Sequence, residues 1–199
     1  MTPVVPVPLA DTVHLRPWRS DDVDELGRAG AHFSRNALAA RFGAASTTIP
    51  DWYRAHIIQA RAHGRWNACV AHSGGRIVGW AEYGLDDEPG HADIAALVGD
   101  RYQGHGLGTR LVGQVASLAK AAGVRVLHAQ IRVDNRGARK ALYAAFPNLR
   151  YTELQDGQWH FAVDLAHVVD LAHAVDLLHA SNRPGPISPA QRPPSSPRT

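Results

Sequence analysis

Residues 98–109 read Val-Gly-Asp-Arg-Tyr-Gln-Gly-His-Gly-Leu-Gly-Thr and connect a predicted strand to a predicted helix. Glycine stands at three alternate positions of this stretch, Gly104, Gly106 and Gly108. Because glycine has no Cβ atom, such a loop can curl and let its backbone N–H groups approach a ligand closely. The following helix begins with unpaired N–H donors and a partial positive charge. The stretch therefore predicts an anion-binding site at a strand-to-helix junction.

The spacing of the glycines excludes two familiar phosphate loops. In the dinucleotide-binding pattern the third glycine comes one position later, where this chain has Thr109. The Gly-Lys-Ser/Thr of a nucleotide-binding P-loop does not follow either. A plain turn between strand and helix is the structural alternative, although three glycines in five residues carry an entropic cost that a plain turn does not require.

The pattern of apolar residues around this loop predicts a domain of mixed α and β structure. Apolar runs predict strands at about 12–16, 66–72, 76–83, 91–98, 124–131, 151–156 and 158–164. Capping residues and helical spacing predict helices at about 20–31, 34–41, 51–62, 107–122 and 135–146. A meander of strands followed by strand–helix–strand–helix–strand is typical of an α/β (α+β) fold around a mixed central β-sheet.

The composition narrows the classes of protein. Of the 199 residues, 45% are hydrophobic, which is enough for one buried core. The formal charge of +3 comes from three arginines after residue 180, so residues 1–180 are electrically balanced. A balanced body argues against a dedicated nucleic-acid-binding protein, which needs a basic face.

Cysteine usage and hydropathy point to the cytoplasm. Cys69 is the only cysteine, so neither an intramolecular disulfide nor a cysteine zinc site can form. The first residues have neither the basic run nor the apolar core of a signal peptide. The chain also lacks the stretch of about 18 apolar residues that a membrane-spanning helix needs. We therefore expect a cytoplasmic protein with no membrane partner.

The two ends of the chain differ from its middle. We expect a loose N-terminus over 1–11 and a disordered proline-rich tail over 181–199. A six-residue pattern that repeats three times from Asp164 predicts a helix over 166–180. Histidines six residues apart on a helix point in directions about 120° apart, so we expect no metal there. This helix is a candidate element for a homodimer.

The glycine loop resembles the pattern of a known family. Residues 103–108, read as Gln-x-x-Gly-x-Gly, are similar to the acyl-CoA pyrophosphate loop of the GNAT superfamily of N-acetyltransferases. Residues 15–22 resemble the opening strand and turn of that family, and residues 135–138, Asn-x-x-Ala, resemble its next motif. The resemblance spans residues 12–165 and implies a twisted mixed sheet with helices on both faces.

Further segments resemble one group within the family. Four segments resemble the GNAT domains of bacterial protein-lysine acetyltransferases. They are Phe33-Ser34, Arg41-Phe42, Ala92 to Ala95 and Tyr102 to Gly104. The resemblance implies that an acetyl group moves from acetyl-CoA, the co-substrate, to a primary amine that attacks it directly. The amine would be a protein lysine or a small molecule, bound near residues 33–62 and the last hairpin.

The resemblance also assigns the contacts to the co-substrate. A backbone N–H near Leu97 or Val98 would hold the oxyanion. Asn135 would bind the pantetheine arm, cap the next helix, or do both. Where the family usually has Arg or Lys, this chain has His105, which attracts phosphate less when it is neutral. The expected co-substrate residues are Leu97, Val98, Gln103, Gly104, His105, Gly106, Leu107, Gly108, Thr109 and Asn135.

Three residues are candidates for acid–base chemistry. Asp93 stands where the related lysine acetyltransferases have Glu, so it is the first candidate for the general base; its shorter side chain favours a bridging water. A solvated position on the strand is its alternative role. Glu82 is the rival base, with a cross-strand pairing to an arginine as its alternative. Tyr143 would protonate the thiolate, but it comes one residue after the tyrosine of the family, and that place also suits plain packing.

Two other functions agree with the same residues. The chain would be a sensor or interaction module if it bound acyl-CoA without turnover. It would be a nucleotide-binding protein if the glycine loop held ATP or NAD instead. Release of thiol separates the first alternative from an enzyme, and ligand preference separates the second.

Overall fold

The computed structural model describes residues 13–43, 46–147 and 149–167, and within them each predicted strand and helix is present within a few residues of its predicted bounds. The strands are β1 (His14–Pro17), β2 (Trp66–Ser73), β3 (Arg76–Leu85), β4 (His91–Val98), β5 (Val126–Arg132), β6 (Arg150–Gln155) and β7 (Gln158–Asp164). The helices are α1 (Asp22–Arg28), α2 (Arg35–Phe42), α3 (Asp51–Ala62), α4 (Leu107–Ala121) and α5 (Arg136–Ala145). Short 3-10 turns cover Ala29–His32, Asp100–Tyr102 and Leu165–His167.

The strands form one sheet in the order β1-β2-β3-β4-β5-β7-β6. The neighbours β4 and β5 run parallel, and the other pairs run antiparallel. Parallel neighbours need a long crossover connection, and α4 supplies it. The mixed central β-sheet that the sequence predicts is therefore confirmed.

Helices cover both faces of the sheet, as the sequence predicts. On one face α4 and α5 bury apolar side chains such as Leu111 and Leu142 against Leu127 of β5. On the other face α1, α2 and α3 form a second core, in which Ile57 packs near Trp80 of β3. Burial of each such side chain stabilises the folded state by roughly 1.5–3 kcal/mol, so the two cores hold helices against both faces of the sheet.

Two element ends differ from the prediction for local reasons. The sequence predicts that the first strand stops before Pro17; that prediction is wrong, because Pro17 pairs with Cys69 at the last position of β1. Proline is tolerated there because β1 is an edge strand and the missing N–H can face away from the ladder. The first helix, predicted to reach about Ala31, ends at Arg28 and tightens into the 3-10 turn that follows.

The ends of the chain lie largely outside the described residues. This holds for the segment 1–11, for the tail 181–199 and for most of the helix predicted over 166–180. Ala166 and His167, the first residues of that predicted helix, belong to the 3-10 turn after β7. Among the residues that the structure describes, no helix combines the length and the apolar character needed to cross a membrane.

Candidate active site

The strands β4 and β5 separate partway along their length. Within the described residues they pair over three positions, the last of which joins Asp93 to His128. Beyond that point β4 stays paired with β3 as far as Val98, and β5 stays paired with β7 as far as Arg132. A gap therefore opens between β4 and β5, with Asp93 and His128 at its vertex. An extended ligand fits between two strands that diverge in this way.

The glycine loop lies between the end of β4 and the start of α4. Gly104 and Gly106 have φ angles of +80° and +76°, a region that residues with a Cβ atom rarely adopt. Gly106 is the N-cap residue of α4, and it has no side chain to accept hydrogen bonds from the first turn. No acidic residue occurs in that turn, so the positive end of the helix faces the loop without a carboxylate of its own. This geometry suits a bound anion.

Packing and one hydrogen bond hold the remainder of the loop. A Cβ atom on Gly108 would lie 3.4 Å from the Cβ of Ala141, so this glycine lets α4 approach α5 closely. The Nε2 of Gln103 donates to the carbonyl oxygen of Val98 at 3.0 Å. Leu107 is buried and anchors the start of α4 in the core. The loop is thus a defined structure between two rigid elements.

The loop is also tied to the opposite face of the sheet. The backbone N–H of Ser34, the N-cap of α2, donates to the carboxylate of Asp100 at 2.6 Å. Leu97, at the end of β4, is buried in the core beneath α1, α2 and α3. The side chain of His105 is exposed and that of Thr109 is half-buried at the surface of the loop. The start of α2 and the segment that leads into the glycine loop are therefore linked directly.

Polar side chains line one face of the sheet beside the gap. Ile94 packs toward α4, so alternation along β4 turns Asp93 to the face that carries α1, α2 and α3. By the same alternation His128 and Gln130 of β5, and His160 of β7, share this face. Asp93 and Gln130 are exposed, and the two histidines are half-buried. This part of the face is open enough for a polar ligand to approach the vertex of the gap.

Asp93 is the carboxylate at the vertex. Partial burial raises its pKa above the usual range for an aspartate, Asp86 raises it further, and His128 opposes the shift. A raised pKa brings a carboxylate closer to the operating range of a general base near neutral pH. Asp93 can therefore accept a proton more readily than a freely solvated carboxylate.

Glu82 lies on the same face, opposite Ala95, but its carboxylate is fully engaged. The residue is only 5% exposed. Arg41 Nη2 donates to one of its oxygens, and the Tyr53 hydroxyl and Trp66 Nε1 donate to the other, the latter at 3.1 Å. Arg41 comes from α2 and Tyr53 from α3, so one buried carboxylate fastens both helices to β3. The sequence predicts a cross-strand arginine as the alternative partner of Glu82; an arginine is the partner, but it comes from helix α2 and not from a neighbouring strand.

The groups around Glu82 keep their donor protons. Burial and the nearby carboxylate of Glu82 raise the pKa of the Tyr53 hydroxyl well above its usual value, so this hydroxyl remains a donor. Burial alone would lower the pKa of Arg41, but Glu82 and Tyr53 together raise it by more. Tyr53 also accepts a hydrogen bond from Trp80 Nε1 at 3.1 Å. Both carboxylate oxygens of Glu82 therefore accept hydrogen bonds within this cluster, whereas Arg41 Nε is buried without a partner among the described residues.

Substitution of Glu82 tests how much this network stabilises the fold. We expect Glu82→Gln to lower the free energy of unfolding by about 3–5 kcal/mol, because it leaves the Arg41 cation without its buried partner. Urea unfolding measures the change. Glu153→Gln, on the exposed strand β6, is the matched control and should alter stability by less than about 0.5 kcal/mol. Equal stability of the two variants would contradict a structural role for Glu82.

Tyr143 and Asn135 lie on α5 and at its start. The ring of Tyr143 is 45% exposed and makes an edge-to-face contact with Phe161, with centroids 5.8 Å apart. Asn135 is the N-cap of α5, and its Oδ1 accepts from the backbone N–H of Ala138 at 3.0 Å. The packing and capping roles that the sequence names as alternatives are both visible. A role of either residue toward the co-substrate stays a prediction.

Sequence reasoning did not single out His128, His91 or Tyr53 as parts of the site. His91 Nδ1 and His128 Nε2 lie 2.9 Å apart next to Asp93. A signal for His128 exists, because residues 127–131 alternate apolar and polar side chains and so place His128 on the polar face of a strand. The partnership of Tyr53 with Glu82 has no such local signal, since the two residues meet only in the folded chain.

One group away from the gap has the composition of a metal site. Ligand atoms of Asp22, Glu25 and His72 lie within 4.8 Å of one another. The guanidinium of Arg16, however, donates to both oxygens of Asp22, at 2.8 and 2.6 Å, and lies 2.8 Å from His72 Nε2. Glu25 accepts from the backbone N–H of Ile77 at 2.6 Å. A cation thus already occupies the centre of the group, which joins α1 to the edge of the sheet.

The fold is similar to that of several solved acetyltransferases. The GNAT domain of S. lividans PAT superimposes with a TM-score of 0.66 at 20% identity, covering 78% of this chain and 96% of that domain. The yncA protein of Salmonella typhimurium, solved with its cofactor acetyl-CoA, gives 0.62 at 18% identity, covering 77% of this chain and 94% of that one. At these identities the likeness concerns the fold.

Sequence comparison extends the likeness. Acetyltransferase Pat of Mycolicibacterium smegmatis is 27% identical over 155 residues, which cover 71% of this chain and 43% of that protein. The chain thus spans less than half the length of this relative. The model of the acetyltransferase (GNAT) family matches residues 33–146, which include β4, the glycine loop, α4 and α5. These matches confirm the resemblance carried by the glycine loop: the chain belongs to the GNAT family of acetyltransferases.

Proposed function

We propose that this protein transfers an acetyl group from acetyl-CoA to a primary amine. The observation that carries the proposal is the arrangement around one gap. A glycine loop and an uncapped helix N-terminus lie at the end of β4, and the exposed carboxylate of Asp93 lies at the vertex between β4 and β5. An anion-binding end and a proton acceptor on the same strand are what an acyl-CoA-dependent transfer to an amine requires.

The residues present fit the co-substrate. The backbone N–H groups from Gly104 to Thr109 would hold the diphosphate, because positive φ at two glycines opens the loop to an approaching phosphate. The pantetheine arm would extend along β4 toward Asp93, with Asn135 at its side. Acetyl-CoA, when bound, supplies an activated thioester. A backbone N–H near Leu97 or Val98 would stabilise the oxyanion.

Asp93 would act on the attacking amine. A lysine-type amine has a pKa of about 10.4, so only about one molecule in a thousand is neutral at pH 7. Asp93, through a bridging water, would take the proton that leaves the amine. We favour Asp93 over Glu82 because its carboxylate is exposed, whereas three donors already occupy that of Glu82. The leaving thiolate would be protonated by water or by Tyr143.

The charges near the vertex favour a cationic acceptor. Asp86 and Glu88 precede Asp93 along the β3–β4 turn, and both are at least partly open to solvent. The carboxylates of Asp86, Glu88 and Asp93 attract an ammonium group and raise its local concentration, whereas the carboxylate of Asp87 is paired with Arg65. A protein lysine or a small-molecule amine meets this requirement, and residues 33–62 with the last hairpin would form its pocket. We infer further that the protein works in the cytoplasm, without nucleic acid or membrane as a partner, and that a second copy would dock through the segment 166–180.

A calorimetric titration with acetyl-CoA followed by an assay of thiol release tests the proposal. We expect binding in the micromolar range, and release of CoA thiol with at least one member of a panel of lysine peptides, polyamines and amino-acid derivatives. Binding without thiol release from any amine would favour the alternative of an acyl-CoA sensor, to which the replacement of the family Glu by Asp93 lends some support. Preference for ATP or NAD over acetyl-CoA would overturn the proposal.

A further inference from the structure

Two histidines meet at the vertex of the gap. His91 Nδ1 and His128 Nε2 lie 2.9 Å apart, and the ring centroids are separated by 5.1 Å with an interplanar angle of 31°. At this distance one nitrogen must carry the hydrogen and the other must accept it, since two N–H groups cannot face each other. The two rings therefore share a single proton between them. A shared proton between imidazoles can shift from one ring to the other.

Titratable groups flank the histidine pair on both sides. On the outer side His91 Nε2 lies 3.4 Å from Glu88 Oε1, and the Glu88 side chain is 68% exposed. On the inner side His128 is the partner of Asp93 at the last paired position of β4 and β5. His91, Asp93 and His128 also lie on the same face of the sheet. A row of titratable groups thus runs from the vertex to solvent; strand pairing places Asp93 beside His128, and side-chain contacts link His128 to His91 and His91 to Glu88.

The proposed reaction needs a route by which one proton leaves the site in each turnover. An ammonium acceptor brings three protons on its nitrogen; the amide keeps one, the CoA thiolate takes one, and one is released. The C–N bond forms as the C–S bond breaks, so each turnover delivers one net proton. If Asp93 receives that proton, it must lose it again before the next turnover. A carboxylate between a bound thioester and a bound amine has limited contact with bulk water at that moment.

We propose that His128 and His91 form the route by which the proton passes from Asp93 to solvent beside Glu88. This inference rests on the proposed function, in which Asp93 is the base. His128 takes the proton from Asp93 through a bridging water and passes the proton on its other nitrogen to His91. His91 releases it from Nε2 toward Glu88 and water. His128 is a positioning and relay residue, because it acts on the amine only through Asp93.

The charged groups near Asp93 determine the direction in which its pKa moves in each variant. Asp86 faces it from the β3–β4 turn, His128 from β5, and Glu82, neutralised by Arg41, from β3. Since Asp86 raises the pKa of Asp93 and His128 lowers it, removal of the two groups should move that pKa in opposite directions. The acidic limb of the kcat/KM profile should therefore move to higher pH in His128→Gln and to lower pH in Asp86→Asn.

Steady-state thiol release against pH, with saturating acetyl-CoA, tests the route. Glutamine can keep a hydrogen bond to His91 but cannot pass a proton, so we expect His128→Gln to lower kcat by about tenfold to a hundredfold, less than the loss of a direct acid–base partner. The Kd for acetyl-CoA should not change. Added imidazole should restore part of the rate in His128→Ala. His14→Gln, on exposed β1 at the far edge of the sheet, is the control and should match the wild type.

The outcomes separate this inference from the proposed function. Wild-type kcat and an unmoved profile in His128→Gln, together with an inactive Asp93→Asn, would overturn the relay and leave the base in place. A rate lost in His128→Ala that imidazole does not restore, with an altered Kd for acetyl-CoA, would show a structural role and overturn the relay as well. If the wild type releases no thiol with any amine, both the proposed function and the relay are wrong.

Discussion

Asp93→Asn is expected to lower kcat/KM for the amine by a factor of about 10²–10⁴, with the Kd for acetyl-CoA unchanged. Asparagine keeps the shape of aspartate and its hydrogen-bonding capacity, but it cannot accept a proton from the amine. The proposed diphosphate contacts lie at the other end of β4, so the substitution should not disturb them. Initial rates of thiol release and a calorimetric titration measure the two quantities.

The pH dependence of kcat/KM in the wild type and in Asp93→Asn is a second test of the role of Asp93. The proposed base accepts a proton only when Asp93 is ionised, so kcat/KM should fall as pH drops through the pKa of this carboxyl. Partial burial and Asp86 raise that pKa, with His128 in opposition, so the acidic limb should lie at higher pH than that of a freely solvated aspartate. In Asp93→Asn the limb should disappear. Asp93→Glu, which restores the residue type of the related lysine acetyltransferases, should retain activity.

Asp24→Asn supplies the matched control for Asp93. Asp24 is an exposed acid on α1, and its substitution should leave both the rate and the pH profile as in the wild type. A wild-type rate in Asp93→Asn would contradict the assignment of the base. Glu82 would then return as the candidate, in spite of the donors that surround it.

Gly106→Glu is expected to remove acetyl-CoA binding, with a rise in Kd of at least about a hundredfold, since juxtaposed like charges cost several kcal/mol and about 1.4 kcal/mol corresponds to a factor of ten. The added carboxylate would stand at the N-terminus of α4, where the diphosphate needs the free N–H groups. The backbone at φ +76° adds strain of about 1–2 kcal/mol for any residue with a Cβ atom. Calorimetry measures binding, and thermal unfolding measures the strain.

The Gly75→Glu variant tests whether backbone strain and an added charge reduce acetyl-CoA binding when they lie away from the glycine loop. Gly75 lies in the β2–β3 turn with φ +73°, and a Cβ atom there, as at Gly106, would meet nothing within 4 Å. The control variant therefore carries the same backbone strain and the same charge at a site remote from the loop. We expect it to lose similar stability and to bind acetyl-CoA normally. Equal affinity in Gly106→Glu and Gly75→Glu would mean that the glycine loop does not hold the phosphates.

Local chemistry explains why much of the fold could be read from the sequence. The last hairpin turns at Asp156 and Gly157, whose φ angles are +50° and +74°, as a two-residue turn with both residues in the left-handed region requires. The helix α5 begins at the capping side chain of Asn135. Such features depend on neighbours a few residues apart, so residue types in sequence are enough to predict them.

The sequence by itself determined the fold class, the family and the place of the glycine loop, because each is encoded in local spacing. Only the tertiary structure decided which of the candidate acids is enclosed and which is exposed. Glu82 and Asp93 are both acidic residues on adjacent strands, yet one is enclosed by Arg41 from α2 and Tyr53 from α3, and the other stays open at the vertex. The pairing of His91 with His128 likewise joins residues 37 positions apart. Burial, charge and hydrogen-bond partners depend on which distant segments meet, and no local propensity specifies that.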